Sequence, residues 1–379
     1  MSITVRRDKF SKGWRAYYIM HCDRRVATVR EDGGCTVYYP SFMPYNLYLE
    51  KAESEDLEIR LMNLDNFYHW CASRVLTLDR KYAKEIMNSI GATQSYSDKD
   101  RAMIAISYRG LSLTDVYWIK SKNEKIKFRE INLYRHSLSD SFAAVSLMGK
   151  QLTAQNAELL SPNDAAGDVG TVGVSPKAWI RENGEFYLLK DGDERDVASE
   201  LLASKIAGCF DVDGVEYTDA VFDGKRVTKC KIVTSEKKSI VSMEYVEIYC
   251  ANHGIDSGEF VLKKDAYSYY MMNIVDYLTG NTDRHWGNWG FIVDNKTNKL
   301  QKLYPLMDYN KAFSSYSTEE GAVCQTVKGR ISQKEAALQA VKKIGLNQKK
   351  AVSDEWFYDS AVKDMFYKRL KILREGENA

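Results

Sequence analysis

Hydrophobic and polar positions alternate along residues 1–50, and the period becomes helical from about 57 to 118. Alternation with a period of two is typical of half-buried strands, and apolar residues three and four apart are typical of amphipathic helices. The first segment therefore predicts a few antiparallel strands. In the second segment, Ser97 is a candidate N-cap for a helix over 98–109 that closes on Gly110.

The middle of the chain returns to alternation and predicts a sheet with one helix. Asn183-Gly184 and Asp223-Gly224 are typical of tight hairpin turns between strands. The predicted strands cover 178–180, 186–189, 215–222, 227–233 and 240–248, and the predicted helix covers 195–207. From about 255 the pattern is mainly helical, with helices over 265–278, from Ser332 to Gly345 and over 355–374, and a hairpin over 291–303.

These changes of pattern predict three parts. Residues 1–155 form an accessory α+β domain, which ends near the turn-rich segment 161–164. Residues 156–250 form a β-rich lobe that begins with a glycine-rich loop, and residues 251–379 form a mainly helical lobe. The predicted fold class is therefore α+β, with two lobes and an extra N-terminal domain.

Composition excludes several classes of protein. The 379 residues are 44% hydrophobic and 28% charged, with a formal net charge of +2, so no global field favours nucleic acid or membrane. No run reaches the roughly 18 apolar residues of a membrane span. Seven scattered cysteines without a C-x-x-C pair argue against disulfides and zinc sites. The start of the chain does not resemble a signal peptide, so we expect a cytoplasmic protein.

Helix–glycine–helix at 98–118 is compatible with a helix-turn-helix. Its excess of Lys and Arg is modest, and no helix carries a convincing row of base-reading side chains, which argues against direct DNA contact.

The richest candidate chemistry lies between Gly280 and Phe313. Asp283, His285 and Asn288 crowd a polar loop, and Asp308 follows at the end of a predicted hairpin. Phosphoryl transfer from ATP needs a carboxylate for the acceptor hydroxyl and oxygen ligands for Mg²⁺. Asp, then Asn five residues later, then a second Asp, is a spacing that serves those tasks. Taken singly, Asp283 and Asn288 are also typical of chain turns and caps.

The segment Asn281-Thr282-Asp283-Arg284-His285-Trp286-Gly287-Asn288 resembles the N-x-D-x-H-x-x-N segment of HipA-like kinases, and also the D-R-H-x-x-N of phosphoinositide kinases. The segment 305–308, Pro-Leu-Met-Asp, resembles the HipA-like P-x-x-D more than D-F-G. The resemblance implies a bilobal protein-kinase-like fold. It also implies that Asp283 is catalytic, that His285 lies near the γ-phosphate, and that Asn288 and Asp308 bind Mg²⁺.

Upstream residues fit the same interpretation. Lys190 ends a predicted strand, where its ammonium could reach the α- and β-phosphates, and Glu200 on the next helix could pair with it. Most such pairs are merely surface charges. The glycine-rich segment 167–177 could cradle phosphates with its backbone amides, with Gly170, Thr171 and Gly173 as candidate ATP contacts.

Two further expectations follow from the resemblance. HipA-like loops often carry an autophosphorylated serine where this chain has Gly170, which leaves Thr171 and Ser175 as candidate substitutes. The segment Ser242–Val246 resembles the stretch that binds adenine, through the Glu244 carbonyl and the Val246 amide. An ordinary strand end explains that stretch equally well.

The leading hypothesis is a serine/threonine protein kinase that uses ATP and Mg²⁺. Resemblance to HipA-like kinases implies a protein substrate related to translation, a role as the toxin of a toxin–antitoxin system, and a small helix-turn-helix antitoxin as partner. Two alternatives remain open: a lipid or small-molecule kinase of the same fold, and a non-catalytic regulatory binding subunit. The absence of basic clusters weighs against lipid headgroups.

Overall fold

The computed structural model describes residues 15–52, 55–89, 97–136, 138, 140–150 and 175–378. The chain divides into two compact units, 1–174 and 175–379. The predicted boundary near 155 lies outside the described residues, and the predicted division near 250 stays a prediction. Within the described part of the chain, no helix is both long and apolar enough to cross a lipid bilayer.

The first unit combines an antiparallel sheet with helices, as the sequence predicts. Its strands lie in the order β3-β2-β1-β4. The elements are β1 (Ala16–His21), β2 (Arg24–Arg30), β3 (Cys35–Val37), β4 (Tyr117–Ser121), α1 (Leu57–Ala72), α2 (Ala83–Ser89), α3 (Asp98–Ser107) and α4 (Asp140–Met148). One apolar core joins the sheet to α1, with Phe67 and Trp70 almost fully buried. The predicted cap is confirmed, because the Ser97 hydroxyl accepts from the Asp100 N–H.

The second unit opens with a four-stranded antiparallel sheet in the order β5-β6-β8-β7. Its elements are β5 (Lys177–Glu182), β6 (Glu185–Lys190), α5 (Glu194–Ala207), β7 (Tyr217–Phe222) and β8 (Lys225–Lys231). Both predicted hairpin turns are present. Asn183-Gly184 and Asp223-Gly224 have positive φ at both positions (51° and 83°, 50° and 78°), the conformation that two-residue hairpins require.

A second sheet of three antiparallel strands follows, in the order β11-β10-β9. Its strands are β9 (Lys238–Ser242), β10 (Gly290–Asp294) and β11 (Lys299–Leu303). The predicted strand over 240–248 is wrong in its second half, because β9 ends at Ser242 and helix α6 (Met243–Asn252) begins there. The helix starts where the Glu244 N–H donates to the Trp286 carbonyl (3.0 Å), and it buries Val246 completely.

Three further helices form most of the C-terminal part: α7 (Ser257–Thr279), α8 (Gln333–Ile344) and α9 (Ser360–Glu377). Helix α7 has a non-helical residue at Asp265 and ends on Gly280 in the left-handed region (φ 58°), as predicted. The Ser332 hydroxyl caps α8 by accepting from the Glu335 N–H. Helix α9 buries Arg369, whose guanidinium donates to carbonyls of α7 and of the segment before α8. The predicted α+β class is confirmed.

Candidate active site

Three charged side chains meet in the interior of the second unit. The Lys190 ammonium donates to the Glu200 carboxylate and to Asp308 Oδ1 (2.8 Å). The Thr228 hydroxyl donates to the other oxygen of Glu200 (2.6 Å). Lys190 and Glu200 are 4% and 2% exposed, whereas the Asp308 side chain keeps about a quarter of its surface, 24%, exposed. The Glu200 carboxylate is therefore buried, and the Asp308 carboxylate is partly exposed to solvent.

The fold explains why these groups meet. Lys190 is the last residue of β6, and its partners across the sheet are Lys177 on β5 and Thr228 on β8. Directly paired residues on neighbouring strands point to the same face, so this row faces α5 and its Glu200. Asp308 follows β11, and its N–H donates to the Tyr217 hydroxyl (3.1 Å). Its φ of 64° lies in the left-handed region, which Asp and Asn tolerate better than most residues.

The electrostatics favour the charged forms. Burial alone would lower the pKa of Lys190, but the charges of Asp308 and Glu200 outweigh it and raise that pKa. Burial would likewise raise the pKa of Asp308. The nearby charges of Lys190 and Lys177 outweigh burial and hold the pKa of Asp308 well below its ordinary value. At neutral pH Asp308 is therefore an anion, held beside the Lys190 ammonium.

The loop after α7 carries the second group of predicted residues. The Asp283 N–H donates to the Asn281 side chain (3.2 Å), and the Asn288 amide group donates to the Asp283 carbonyl (2.7 Å). His285 Nε2 lies 3.9 Å from Asp283 Oδ1, and both side chains are about half exposed. Partial burial raises the pKa of Asp283, and His285 opposes that effect. The loop thus presents an accessible carboxylate beside an imidazole.

The donor set suits Mg²⁺. The Asn288 side-chain nitrogen donates within its own loop, and its Oδ1 has no hydrogen-bond partner among the described residues. Asp308 offers a second oxygen donor, which is ionised and partly exposed. In the described part of the chain, no group of three or more His, Cys, Asp and Glu side chains could hold a metal ion. Mg²⁺ usually binds one or two protein ligands together with phosphate and water oxygens, so these two residues fit it.

Arg284 of this loop forms a buried ion pair with Asp276 at the end of α7, and this pair was not predicted from the sequence. Arg284 donates to both carboxylate oxygens of Asp276 (2.8 and 3.0 Å) and also to the carbonyls of Asn288 (3.0 Å) and Met307 (2.5 Å). A sequence signal for it existed, because Asp276 interrupts the apolar run 274–278 of α7. A charge on a buried helix face requires a partner.

The predicted ATP contacts in the glycine-rich loop, Gly170, Thr171 and Gly173, lie outside the described residues. Ser175 is described, and its hydroxyl accepts from the Asn310 amide group (3.3 Å), so it lies near the segment that follows Asp308.

The predicted adenine contacts lie on α6. Glu244 is exposed and its carboxylate approaches Gly287, whereas the Val246 side chain is buried. Helical N–H and carbonyl groups ordinarily bond along the helix. Adenine binding there stays a prediction.

No family model matches the chain. The serine/threonine-protein kinase CtkA of Helicobacter pylori is 26% identical over 155 residues, which cover 37% of this chain and 47% of CtkA. The chain therefore matches about half the length of this curated relative. A crystal structure of CtkA covers 53% of this chain and 90% of its own, at 17% identity and a TM-score of 0.39.

HipA of Shewanella oneidensis, solved with HipB and its operator DNA, gives the fuller match. It covers 96% of this chain and 99% of its own, with a TM-score of 0.53 and 12% sequence identity. Assignment of the fold rests on this structure. The chain therefore has the α+β, kinase-like fold of HipA, and the resemblance to HipA-like kinases predicted from its motifs is confirmed at the level of the fold.

Proposed function

We propose that this chain is an ATP- and Mg²⁺-dependent serine/threonine protein kinase of the HipA-like type. The observation that supports it best is the buried contact of Lys190 with both Glu200 and Asp308. Kinases hold a phosphate-binding lysine by a helix glutamate and keep a metal-binding Asp in place, and this chain pairs all three groups. The relative CtkA is named as a serine/threonine-protein kinase, which supports the same activity here.

Each residue has a role in this proposal. Lys190 neutralises charge on the α- and β-phosphates, and Glu200 keeps its ammonium in position. Asp283 orients the acceptor hydroxyl and accepts its proton, while His285 lies near the transferred phosphoryl group. Asn288 and Asp308 hold Mg²⁺, which supplies charge neutralisation at the β- and γ-phosphates when bound. Catalysis then comes mainly from positioning and charge stabilisation.

The decisive test is phosphorylation by the variant Asp283→Ala. Loss of a positioned acid–base group typically lowers rates by about 10²–10⁴-fold. We expect that loss with an unchanged melting temperature, because Asp283 is only partly buried. Asp364→Ala, at an exposed position of α9, is the matched control and should keep full activity. Full activity in Asp283→Ala would remove the catalytic assignment.

The acceptor is proposed to be a protein related to translation. Incubation with γ-labelled ATP and a bacterial lysate should place label in a protein band. Label recovered in the lipid fraction would instead identify a lipid kinase, the alternative that the shared D-R-H-x-x-N motif keeps open.

A small helix-turn-helix antitoxin is proposed as partner, with this chain as the toxin. The support is that the HipA structure contains HipB and operator DNA. Co-purification with such a protein from a neighbouring gene supports the complex. A chain that purifies alone, with unchanged activity when that protein is added, contradicts it.

A further inference from the structure

Two buried charged side chains next to the candidate site, Asp276 and Arg284, take no direct part in the proposed reaction. Asp276 is 4% exposed and Arg284 is 2% exposed, and the guanidinium binds both carboxylate oxygens through Nε and Nη2. Ionised side chains are rarely buried to this degree because desolvation is costly. Asp276 also lies in the last turn of α7, where the helix dipole disfavours a negative charge. Helix stability therefore does not explain this carboxylate.

The remaining nitrogen of Arg284 shows what the pair holds. Its Nη1 donates to the carbonyl of Asn288 (3.0 Å) and to the carbonyl of Met307 (2.5 Å). Asn288 is one predicted Mg²⁺ ligand, and Met307 directly precedes Asp308, the other. One guanidinium thus bonds to the main chain at both metal-binding segments, which are about twenty residues apart in sequence.

A second link follows the same route. The Asn281 amide group donates to Asp276 Oδ1 and to the Asp308 carbonyl, both at 3.3 Å. The Gln333 side chain of α8 in turn donates to the Asn281 carbonyl (2.7 Å). Asp276 is therefore the shared acceptor of two side chains that each reach the metal-binding segments.

Arginine is the side chain that this geometry requires. Its planar guanidinium presents five N–H donors in fixed directions. Nε and Nη2 can therefore bind a carboxylate while Nη1 donates to two carbonyls. A lysine ammonium is a single point with three donors, and it cannot span all four acceptors.

We propose that Arg284, oriented by Asp276, is a positioning residue that fixes Asn288 relative to Asp308 and thereby sets the affinity for Mg²⁺ in the nucleotide complex. This inference rests on the proposed function, since it concerns the metal of the same site. Arg284 is 2% exposed and would act through its main-chain partners rather than by direct contact with substrate or metal. Groups that orient metal ligands in this way typically affect metal affinity or activity by about 10–100-fold when replaced.

The experiment measures metal binding without catalysis. Mn²⁺ is titrated into the protein saturated with a non-hydrolysable ATP analogue, and bound Mn²⁺ is followed by electron paramagnetic resonance. We expect Arg284→Lys to weaken Mn²⁺ binding by about 10–100-fold, while binding of the analogue in EDTA stays at the wild-type level. Arg226→Lys is the matched control, because Arg226 is an arginine paired with Asp219 on the surface of the same unit; it should bind Mn²⁺ as the wild type does.

Asp276→Asn is the second variant, and it decides the matter if Arg284→Lys does not fold. It keeps the size of the side chain and should weaken Mn²⁺ binding in the same direction by a smaller factor. Wild-type Mn²⁺ affinity in either folded variant overturns the inference, as does an equal loss of analogue binding in EDTA. If the wild type binds Mn²⁺ and the analogue but transfers no phosphate, the proposed function fails while the positioning role stands.

Discussion

Replacing Lys190 by Met tests whether the buried charges balance one another as the structure indicates. The substitution keeps an unbranched side chain of similar length and removes the ammonium. Among the described residues, the Glu200 carboxylate then retains only the hydrogen bond from Thr228, and Asp308 loses its contact at 2.8 Å. Two carboxylates, of which Glu200 is 2% exposed, are left without their common cation.

The cost is large because one partner of a buried ion pair is removed. Such changes typically destabilise a protein by roughly 3–5 kcal/mol. For a unit the size of 175–379, each kcal/mol corresponds to about 2–4 °C in melting temperature. We therefore expect the unit that contains Lys190 to melt roughly 6–20 °C lower in Lys190→Met.

The loss should depend on pH in a defined direction. In the wild type, the lowered pKa of Asp308 contributes stability above its unfolded pKa, and that stability is lost only as pH falls through the lower folded pKa. Without the ammonium, the burial of Asp308 is opposed by fewer positive charges, so the folded pKa of Asp308 rises. The folded variant therefore gains less stability from ionised Asp308 than the wild type does, and this difference is fully present only where the carboxylate is ionised. Its deficit is therefore expected to be larger at pH 8 than at pH 5.

The assay is thermal unfolding by circular dichroism at pH 8 and pH 5, with the exposed Lys205→Met on α5 as control. The control removes one exposed lysine charge from α5, the helix that carries Glu200, and should melt within about 2 °C of the wild type, in keeping with small surface effects. A Lys190→Met loss no larger than that of the control, or one that does not change with pH, would refute the balance of buried charges.

Three further predictions concern other parts of the chain. Gly290→Ala should weaken the β9–β10 pairing by about 1–3 kcal/mol, because a Cβ there would lie 2.1 Å from the Val241 carbonyl oxygen; wild-type stability in urea unfolding contradicts this. Asn63→Leu in the first unit removes the two hydrogen bonds that the buried Asn63 side chain makes with the main chain of Glu50 and should cost about 1–3 kcal/mol, and an unchanged urea midpoint contradicts it. The phosphorylation rate should fall as pH is lowered through the raised pKa of Asp283, so the acid limb of the pH–rate profile should lie above 3.8; a limb at that ordinary value contradicts the assignment.

Local signals predicted much of the fold. The hairpin turns at Asn183-Gly184 and Asp223-Gly224, and the end of α7 at Gly280, depend on backbone conformations that glycine and Asx residues adopt readily. Lys190 and Glu200 were predictable as a pair, since a strand end and the following helix place them ten residues apart in sequence. These features follow from residues close to one another in the chain.

The features that were missed depend on distant contacts. The change from strand to helix after Ser242 could not be predicted locally, because the residues that follow it alternate in a way that suits both structures. The helix begins where Glu244 bonds to Trp286, 42 residues later. Arg284 stood within the recognised motif, but its role depends on Met307 and Asp276, which only the folded chain brings to it.

The left-handed backbone at Asp308 decides which substitution of this residue suits structural work. Asn shares the tolerance of Asp for positive φ, whereas a left-handed conformation costs most other residues roughly 1–2 kcal/mol. Asp308→Asn removes the charge and keeps the chain path. Asp308→Ala would mix loss of charge with backbone strain, so a failure to bind nucleotide could not be attributed to either. Crystals of a nucleotide complex are therefore best sought with Asp308→Asn.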